Sequence, residues 1–416
     1  MLLPRLRVCF AFQDHKVAMQ CIAENLGTID PEGVCPLLDR GRVFVGHTKA
    51  EHRHTLKSTA YDNGCRRKQI VRATPRSAAS DTVTSMASRQ TPDSAAWARL
   101  VDTDPRRSAL VAVALRMRLE AAAVELVDAL RGDGIVPLVL KGPSVAGWLY
   151  GPLGERREYQ DLDLLVSPAE HERAGNVLER LGYARDFDDR GMPPWWREHA
   201  VVWVRSDGTT VDLHRWLPGI GADPAAAWEI LARGAESVEI RSRSVPALGL
   251  PARALHLALH AAQHGPAQPG VLRDLEYGLD AGGEELWRAA AALAVELDAE
   301  DGFAAGLRLT PAGDRLAARF ELRPVRSVRA TLLAASPPPV ALGLVQLAEA
   351  RGVRSRLTIV ARKLFPPPEF IRHWDPSAAR GRTALVRAYI RRPLWLLQAL
   401  PAGLSAWVAA RRRARQ

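Results

Sequence analysis

Asp161 and Asp163 stand one residue apart in the stretch REYQDLDLLV (157–166), inside an apolar run made by Leu162 and Leu164 to Val166. Side chains alternate faces along a strand, so a strand here points both carboxylates the same way. Like charges buried side by side repel, and one pKa rises. A divalent cation removes that penalty, because Mg²⁺ takes oxygen ligands, commonly one or two carboxylates together with substrate phosphates. The competing reading is an edge strand whose polar face meets water, and these residues alone leave both readings open. A third acid, Asp212, lies in TVDLH (210–214), two positions before His214. On a strand those two share a face. Lys141, Gly142, Pro143 and Ser144 form a turn after the apolar stretch IVPLVL (135–140). Glycine there permits close backbone approach, the start of a following helix favours an anion, and the Ser144 hydroxyl can donate to a phosphate oxygen. Lys141 suits either a phosphate or a structural ion pair.

The elements that must position these residues are legible in outline. RRSALVAVALRMRLEAAAVELVDALRGDG has apolar residues at helical spacing and stops at Gly132 and Gly134. IVPLVL reads as a short strand, with a helix from about Ser144. DLDLLV (161–166) reads as the next strand, and SPAEHERAGNVLERLGY as a helix capped by Ser167. HAVVWVR and TTVDLHRWL flank SDG as a hairpin. From about residue 251, PARALHLALHAAQHG and the segments after it read as helices. The expected fold class is therefore α+β: a mixed sheet flanked by helices, followed by a mainly α-helical domain. The expected divisions are 1–90, 91–245, 246–375 and 376–416.

The net charge of +11 on 416 residues suggests nucleic acid until it is divided. Residues 1–90 carry 14 Lys+Arg against 8 Asp+Glu, and residues 376–416 carry 9 Arg and no acid. Residues 91–375 are left with a net of −4, so the basic ends say little about a central ligand. Cys9, Cys21, Cys35 and Cys65 all precede residue 66, as do Lys16, Lys49 and Lys57, with Lys68 just beyond. The cysteine spacings match no zinc pattern. Residues 1–90 also lack a sustained period, and the expectation is a disordered extension or a start site lying further in, at Met86. No signal peptide is read, and the expected location is cytoplasmic.

The ordered set of LKGPS (140–144), Leu149-Tyr150, Arg156 or Arg157 ahead of DLDLLV, GY at 182–183, VDLH (211–214), LHLALHAAQH and RDLEYGL resembles the polymerase-β type of nucleotidyltransferase. In detail it resembles the bacterial family of uncharacterised nucleotidyltransferases, over roughly residues 110–395. The resemblance implies transfer of a nucleoside monophosphate from an NTP, with ATP the expected donor, to a hydroxyl on a small molecule, a peptide or protein, or an RNA. It implies two Mg²⁺ ions, or Mn²⁺ in their place, about 4 Å apart. Asp161 and Asp163 would hold both, and Asp212 would hold the one nearest the acceptor and act as general base. Lys141, Gly142, Ser144 and Arg157 would meet the nucleotide. Pro143 in the turn, and the longer run to the acidic pair, depart from the superfamily pattern and bear on the phosphate contacts.

Each remaining feature has a bland alternative. His256, His260 and His264 recur every four residues on one helical face but lack the glutamate of H-E-x-x-H, so packing or substrate contact is expected over metal. Asp274 is expected to orient the helical region. Arg156 and Arg157 suit phosphate or simple helix cover, and Trp195 and Trp196 suit base stacking or packing. PLWLLQALPAGLSAWVAA (393–410) has 18 residues without charge between arginine clusters, which approaches a membrane span. Pro401, Gly403, Gln398 and Ser405 argue instead for a docked helix, ahead of one lying on an anionic membrane surface. The alternative function is a non-catalytic binding or membrane-associated scaffold on the same fold.

Overall fold

The computed structural model describes residues 105–192 and 196–415. The expectations for residues 1–90 and for Trp195 fall outside the described residues.

The chain enters as helix α1 (Pro105–Gly132), rich in strong helix formers, with Leu119, Ala123, Leu126, Val127 and Leu130 buried along one stripe. Strand β1 (Leu138–Val139) follows, then a short helical segment α2 (Pro143–Val145) that widens into a π-helical turn (Ala146–Tyr150). Strand β2 (Leu162–Leu165), helix α3 (His171–Arg180), and strands β3 (Tyr183–Arg185), β4 (Ala200–Arg205) and β5 (Thr210–His214) come next. Helix α4 (Pro224–Arg233) leads to β6 (Glu236–Ile240) and β7 (Arg243–Ala247).

Ser167 does not cap α3. Its carbonyl accepts the Glu170 N–H at 2.9 Å in a tight turn, so the helix begins later, at His171. His171 Nε2 lies 3.0 Å from the Leu213 carbonyl and ties α3 to β5.

The strands form one seven-stranded mixed sheet in the order β3-β4-β5-β2-β1-β7-β6. The expected β4–β5 hairpin is present, with Val202 opposite Asp212. The β6–β7 hairpin was not expected. Its two-residue turn, Arg241-Ser242, adopts φ values of 50° and 59° without the glycine or asparagine that normally marks such a turn. The centre of the sheet is mixed: β2 runs parallel to β5 and β1 parallel to β7 through Val139 and Ala247, while β1 and β2 pair antiparallel.

Strand alternation sorts the centre of this sheet into two cores. Val139, Leu162, Leu164, Val211 and Leu213 pack beneath α1 and α3 with Leu126, Leu130 and Val177. Leu138, Leu140 and Leu165 join the opposite core, built on α5 (Leu250–His264), with Leu255, Leu259, Trp287 and Phe303. Asp163 shares the α5-facing side of β2 with Leu165, so apolar neighbours on both sides of it in sequence do not bury it among themselves.

Helices α6 (Pro269–Ala281), α7 (Glu284–Glu296), α8 (Glu300–Leu307) and α9 (Pro311–Arg319) complete that second core. Beyond it lie α10 (Val328–Ala334), α11 (Pro339–Glu349), α12 (Val353–Leu364), α13 (Pro368–Trp374) and α14 (Arg382–Arg413). Helix α14 continues for 32 residues through Pro393 and Pro401. It docks on α11 and α10 through Ala410, Ala341, Val345 and Leu332. At Gly403 any side chain would meet Val340 at about 3.0 Å, so glycine lets the two backbones approach. Helix α14 is also long and apolar enough to cross a membrane, and only 11% of its most apolar window is buried.

Candidate active site

The parallel register of β2 and β5 sets Asp163 directly opposite Asp212, and Leu165 opposite His214. Asp163, Asp212 and His214 each present a ligand-type atom, all within 4.8 Å of one another. Asp161 lies just before β2, half-buried, and is not in that closest group. Its charge nevertheless acts on Asp163 and Asp212. The sequence expectation put Asp161 on the strand; the strand begins one residue later because the ladder to β5 starts at Leu162 opposite Val211.

Asp163 is the most enclosed of the acids, 2% exposed, and one of its oxygens is shared. Oδ1 lies 3.0 Å from Lys141 Nζ and 3.0 Å from His214 Nε2. Burial alone would raise the Asp163 pKa, but the Lys141 ammonium and the His214 hydrogen bond overcome it and hold the carboxyl below its ordinary range. Among the described residues, none donates a hydrogen bond to Asp161 or Asp212 or forms an ion pair with them. Burial, then the Asp163 charge, raises Asp161. Burial, then Asp163 and Asp161, raises Asp212 well above the usual carboxylate value. The site therefore holds one compensated carboxylate and two uncompensated ones.

Lys141 ends the segment after β1. Burial pushes its ammonium pKa down, and the charges of Asp163, Asp161 and Asp212 outweigh this and leave it raised. Gly142 turns the chain at φ 61°, where a side chain would be strained and would also touch the Tyr159 ring at 3.4 Å. Ser144, expected at a phosphate, is 2% exposed, and its hydroxyl donates to the Leu140 carbonyl at 3.2 Å. It closes the turn from inside.

Arg157, also expected at the nucleotide, is clamped elsewhere. Its Nε and Nη2 donate to both oxygens of Asp274 on α6, the shortest contact being 2.7 Å. The Tyr150 hydroxyl donates to Asp274 Oδ1 at 2.6 Å, and burial together with this bond raises the phenol pKa. Asp274 thus joins the π-helical turn, the segment before β2 and α6. Arg156 is exposed. Trp196 packs its ring 4.8 Å from that of Phe370 on α13 and lies under Lys363, so it serves packing.

The histidine row on α5 faces the site. His260 Nε2 lies 3.4 Å from Lys141 Nζ, with the His256 ring 5.8 Å and the His264 ring 4.5 Å from its own. Both ring nitrogens of buried His256 lack a hydrogen-bond partner among the described residues. Burial, then the Lys141 charge, lowers His256 to about 3 and His264 to about 4, and takes His260 well below its usual value. His199, at the mouth of β4, was not singled out from sequence; its ring lies 5.3 Å from that of His214. Burial, then His214, lowers it to about 3. Its only available signal was its place one residue before a strand that pairs with the VDLH strand.

A mixed sheet that sets two carboxylates face to face on parallel strands, with a glycine turn beside them, is the frame of a nucleotidyltransferase. The model of the family described as uncharacterised nucleotidyltransferase matches residues 81–312, and the chain belongs to that family. No curated protein matches it. Solved structures similar to it include the antibiotic-resistance factor ANT(2'')-Ia in solution, at 14% identity and TM-score 0.31 over 43% of this chain and 92% of that one. The lincosamide antibiotic adenylyltransferase LnuA with lincomycin bound is similar at 14% identity and TM-score 0.27, over 38% and 95%. An antigenic nucleotidyltransferase-like protein from Paracoccidioides brasiliensis is similar at 16% identity and TM-score 0.27, over 44% and 92%. Likenesses this distant carry no weight on substrate, and the family assignment rests on the sequence match.

Proposed function

We propose that the protein is a divalent-metal-dependent enzyme that moves a nucleoside monophosphate from an NTP, ATP being the donor, to an acceptor hydroxyl. The observation that carries the reading is the in-register pair Asp163 and Asp212 with His214 alongside, their ligand atoms within 4.8 Å. The residues fit a cation: two acids of one cluster stand uncompensated, with raised pKa values that a bound metal would reverse. Mg²⁺, with Mn²⁺ as a substitute, suits the carboxylate oxygens, while the His214 nitrogen widens the choice towards Mn²⁺. When bound, such ions neutralise the charge that builds on the phosphoryl oxygens.

The chain's own residues do the rest. Asp161, Asp163 and Asp212 would hold the metal positions, from the residue before β2, from β2 and from β5. Asp212 faces the acceptor side and, as a carboxylate, would take the hydroxyl proton as the acceptor oxygen attacks the α-phosphate and the bond to the β-phosphate breaks, releasing pyrophosphate. Lys141 supplies positive charge to the triphosphate, and the backbone at Gly142 allows the phosphates to approach. Arg157 and Ser144 hold the frame.

The test is label transfer from each α-³²P-NTP to acceptors in cell extract. Asp163→Asn should remain folded by circular dichroism and transfer no label. A folded variant that transfers at the wild-type rate would overturn the reading. We also propose that α14 rests on an anionic lipid surface. Val386, Ile390, Leu394, Leu397 and Leu404 are 45–64% exposed along one stripe, and arginines flank it at both ends.

A further inference from the structure

The Lys141 side chain stands at one of the two oxygens through which Asp163 could coordinate a cation. Its Nζ and His214 Nε2 both approach the same oxygen, Oδ1, at 3.0 Å. A metal ion that uses this oxygen must displace one of the two. His214 cannot retreat easily: it sits on β5, is 4% exposed, and its ring packs against His199. Lys141 has a flexible four-carbon stem, a side chain 17% exposed, and a second partner already at hand. That partner is His260 Nε2, 3.4 Å from Nζ. A neutral imidazole accepts a hydrogen bond from an ammonium.

We propose that Lys141 is the resident counter-ion of the carboxylate site, displaced when divalent cations arrive with the nucleotide, and that His260 receives the displaced ammonium. The proposal rests on the metal reading above. It gives the site an order of assembly. Without nucleotide, the ammonium holds Asp163 neutralised and free cations bind weakly. With nucleotide, the triphosphate supplies both the metal ions and a new set of anionic partners for Nζ, so the exchange becomes favourable. Burial of Asp163 beside two further acids is thereby tolerated in the resting enzyme, and idle metal occupancy is suppressed. The histidine row acquires a purpose that neither core packing nor metal ligation explains: its members face a cation, stay neutral, and offer nitrogen lone pairs to it. His256, with both ring nitrogens unpartnered, extends the row beyond the first landing position.

The experiment measures binding of Mn²⁺ alone by electron paramagnetic resonance, and of Mn²⁺ with α,β-methylene-ATP by calorimetry. Lys141→Met and Lys141→Gln should each bind Mn²⁺ alone about tenfold more tightly than wild type, or better, and the nucleotide analogue more weakly. Lys141→Arg, which keeps the charge, should gain no Mn²⁺ affinity. His260→Leu should leave binding of Mn²⁺ alone unchanged and weaken binding of Mn²⁺ with the analogue. The proposal is overturned if neither neutral variant gains Mn²⁺ affinity while Asp163→Asn loses Mn²⁺ binding, because the metal site is then real and Lys141 does not compete for it. If Asp163→Asn binds Mn²⁺ as wild type does, the metal reading fails first and the proposal goes with it. Using two neutral substitutions of different polarity guards against a single misfolded variant, and thermal unfolding of each establishes that the folded protein is being measured.

Discussion

The sheet buries charge, and the last helix exposes oil. At one end of the comparison, Asp163 and His214 lie at 2% and 4% exposure on the central strands; at the other, Leu397 on α14 is 64% exposed. Both invert the ordinary sorting of residues between interior and surface. The difference lies in how each inversion is compensated. The buried charges answer one another through Lys141, His214 and the Arg157–Asp274–Tyr150 clamp, all inside the chain. The leucines along α14 simply remain largely exposed among the described residues. Polar groups in a dry interior are costly unless partnered, whereas a surface leucine costs little by staying where it is. Substitutions in the two regions should therefore fail in opposite ways.

The largest effect belongs to the acid cluster. Asp163→Asn or Asp212→Asn should lower label transfer by about 10³-fold or more, and the double variant should be hardly worse, because the residues act as a unit. Asp212→Asn should not weaken the metal-free fold, since it removes a repelled charge. Additive losses in quantitative transfer assays would show that the acids act separately.

Next in size is the clamp. Asp274→Ala leaves Arg157 buried without its partner and should cost about 3–5 kcal/mol in urea unfolding. If the cost stays below about 1 kcal/mol, the clamp behaves as a surface ion pair and the comparison loses its interior half.

The histidine row sharpens the contrast through pH. His256 titrates near 6.5 when unfolded and is lowered to about 3 by burial and then by Lys141, so it is neutral in the fold. Above pH 6.5 neither state binds a proton there and the stability it contributes is complete. As pH falls below 6.5 the unfolded chain takes up a proton that the folded chain refuses, and stability declines by about 1.4 kcal/mol per pH unit until about pH 3. His264 adds the same trend down to about pH 4. Urea unfolding between pH 7.5 and 4.5 should show the decline, and His256→Leu should make it shallower by one proton.

The smallest effect on stability falls at the exposed end. Leu394→Glu with Leu397→Glu should change folding by about 0.5 kcal/mol or less. The same pair should reduce salt-sensitive co-sedimentation with anionic liposomes. Unchanged sedimentation would remove the lipid surface as the partner of α14.

The opposing outcomes also explain what could be read in advance. Asp163, Asp212 and His214 were legible because alternation along a strand and a short motif are local facts. The β4–β5 hairpin was legible for the same reason. The β6–β7 hairpin was not, since Arg241 and Ser242 take positive φ without a residue type that announces it. Arg157 was placed at phosphate because an arginine near an acidic motif has no local means of naming a partner on α6, 117 residues away. Ser144 was misplaced for the converse reason: its partner is four residues back, but burial of the turn is a tertiary fact. The meeting of Lys141 with Asp163 and His260 combined both difficulties. Its residues were all noted singly, and only the packing of α5 over the end of β1 brings them together.

Strand β1 has two residues, and each of its neighbours lies elsewhere in the chain: β2 shortly after it, and Ala247 of β7 more than a hundred residues on. A ribosome releases these partners at different times. While Ala247 is still unmade, one edge of β1 has nothing to pair with, and α5, which carries His260, does not yet exist to cover Lys141. The nascent chain can thus hold both aspartate-bearing strands and still lack a finished catalytic centre. Premature termination anywhere before α5 would release a chain without His260 beside Lys141, so the candidate site is completed late in synthesis, well after the acids themselves.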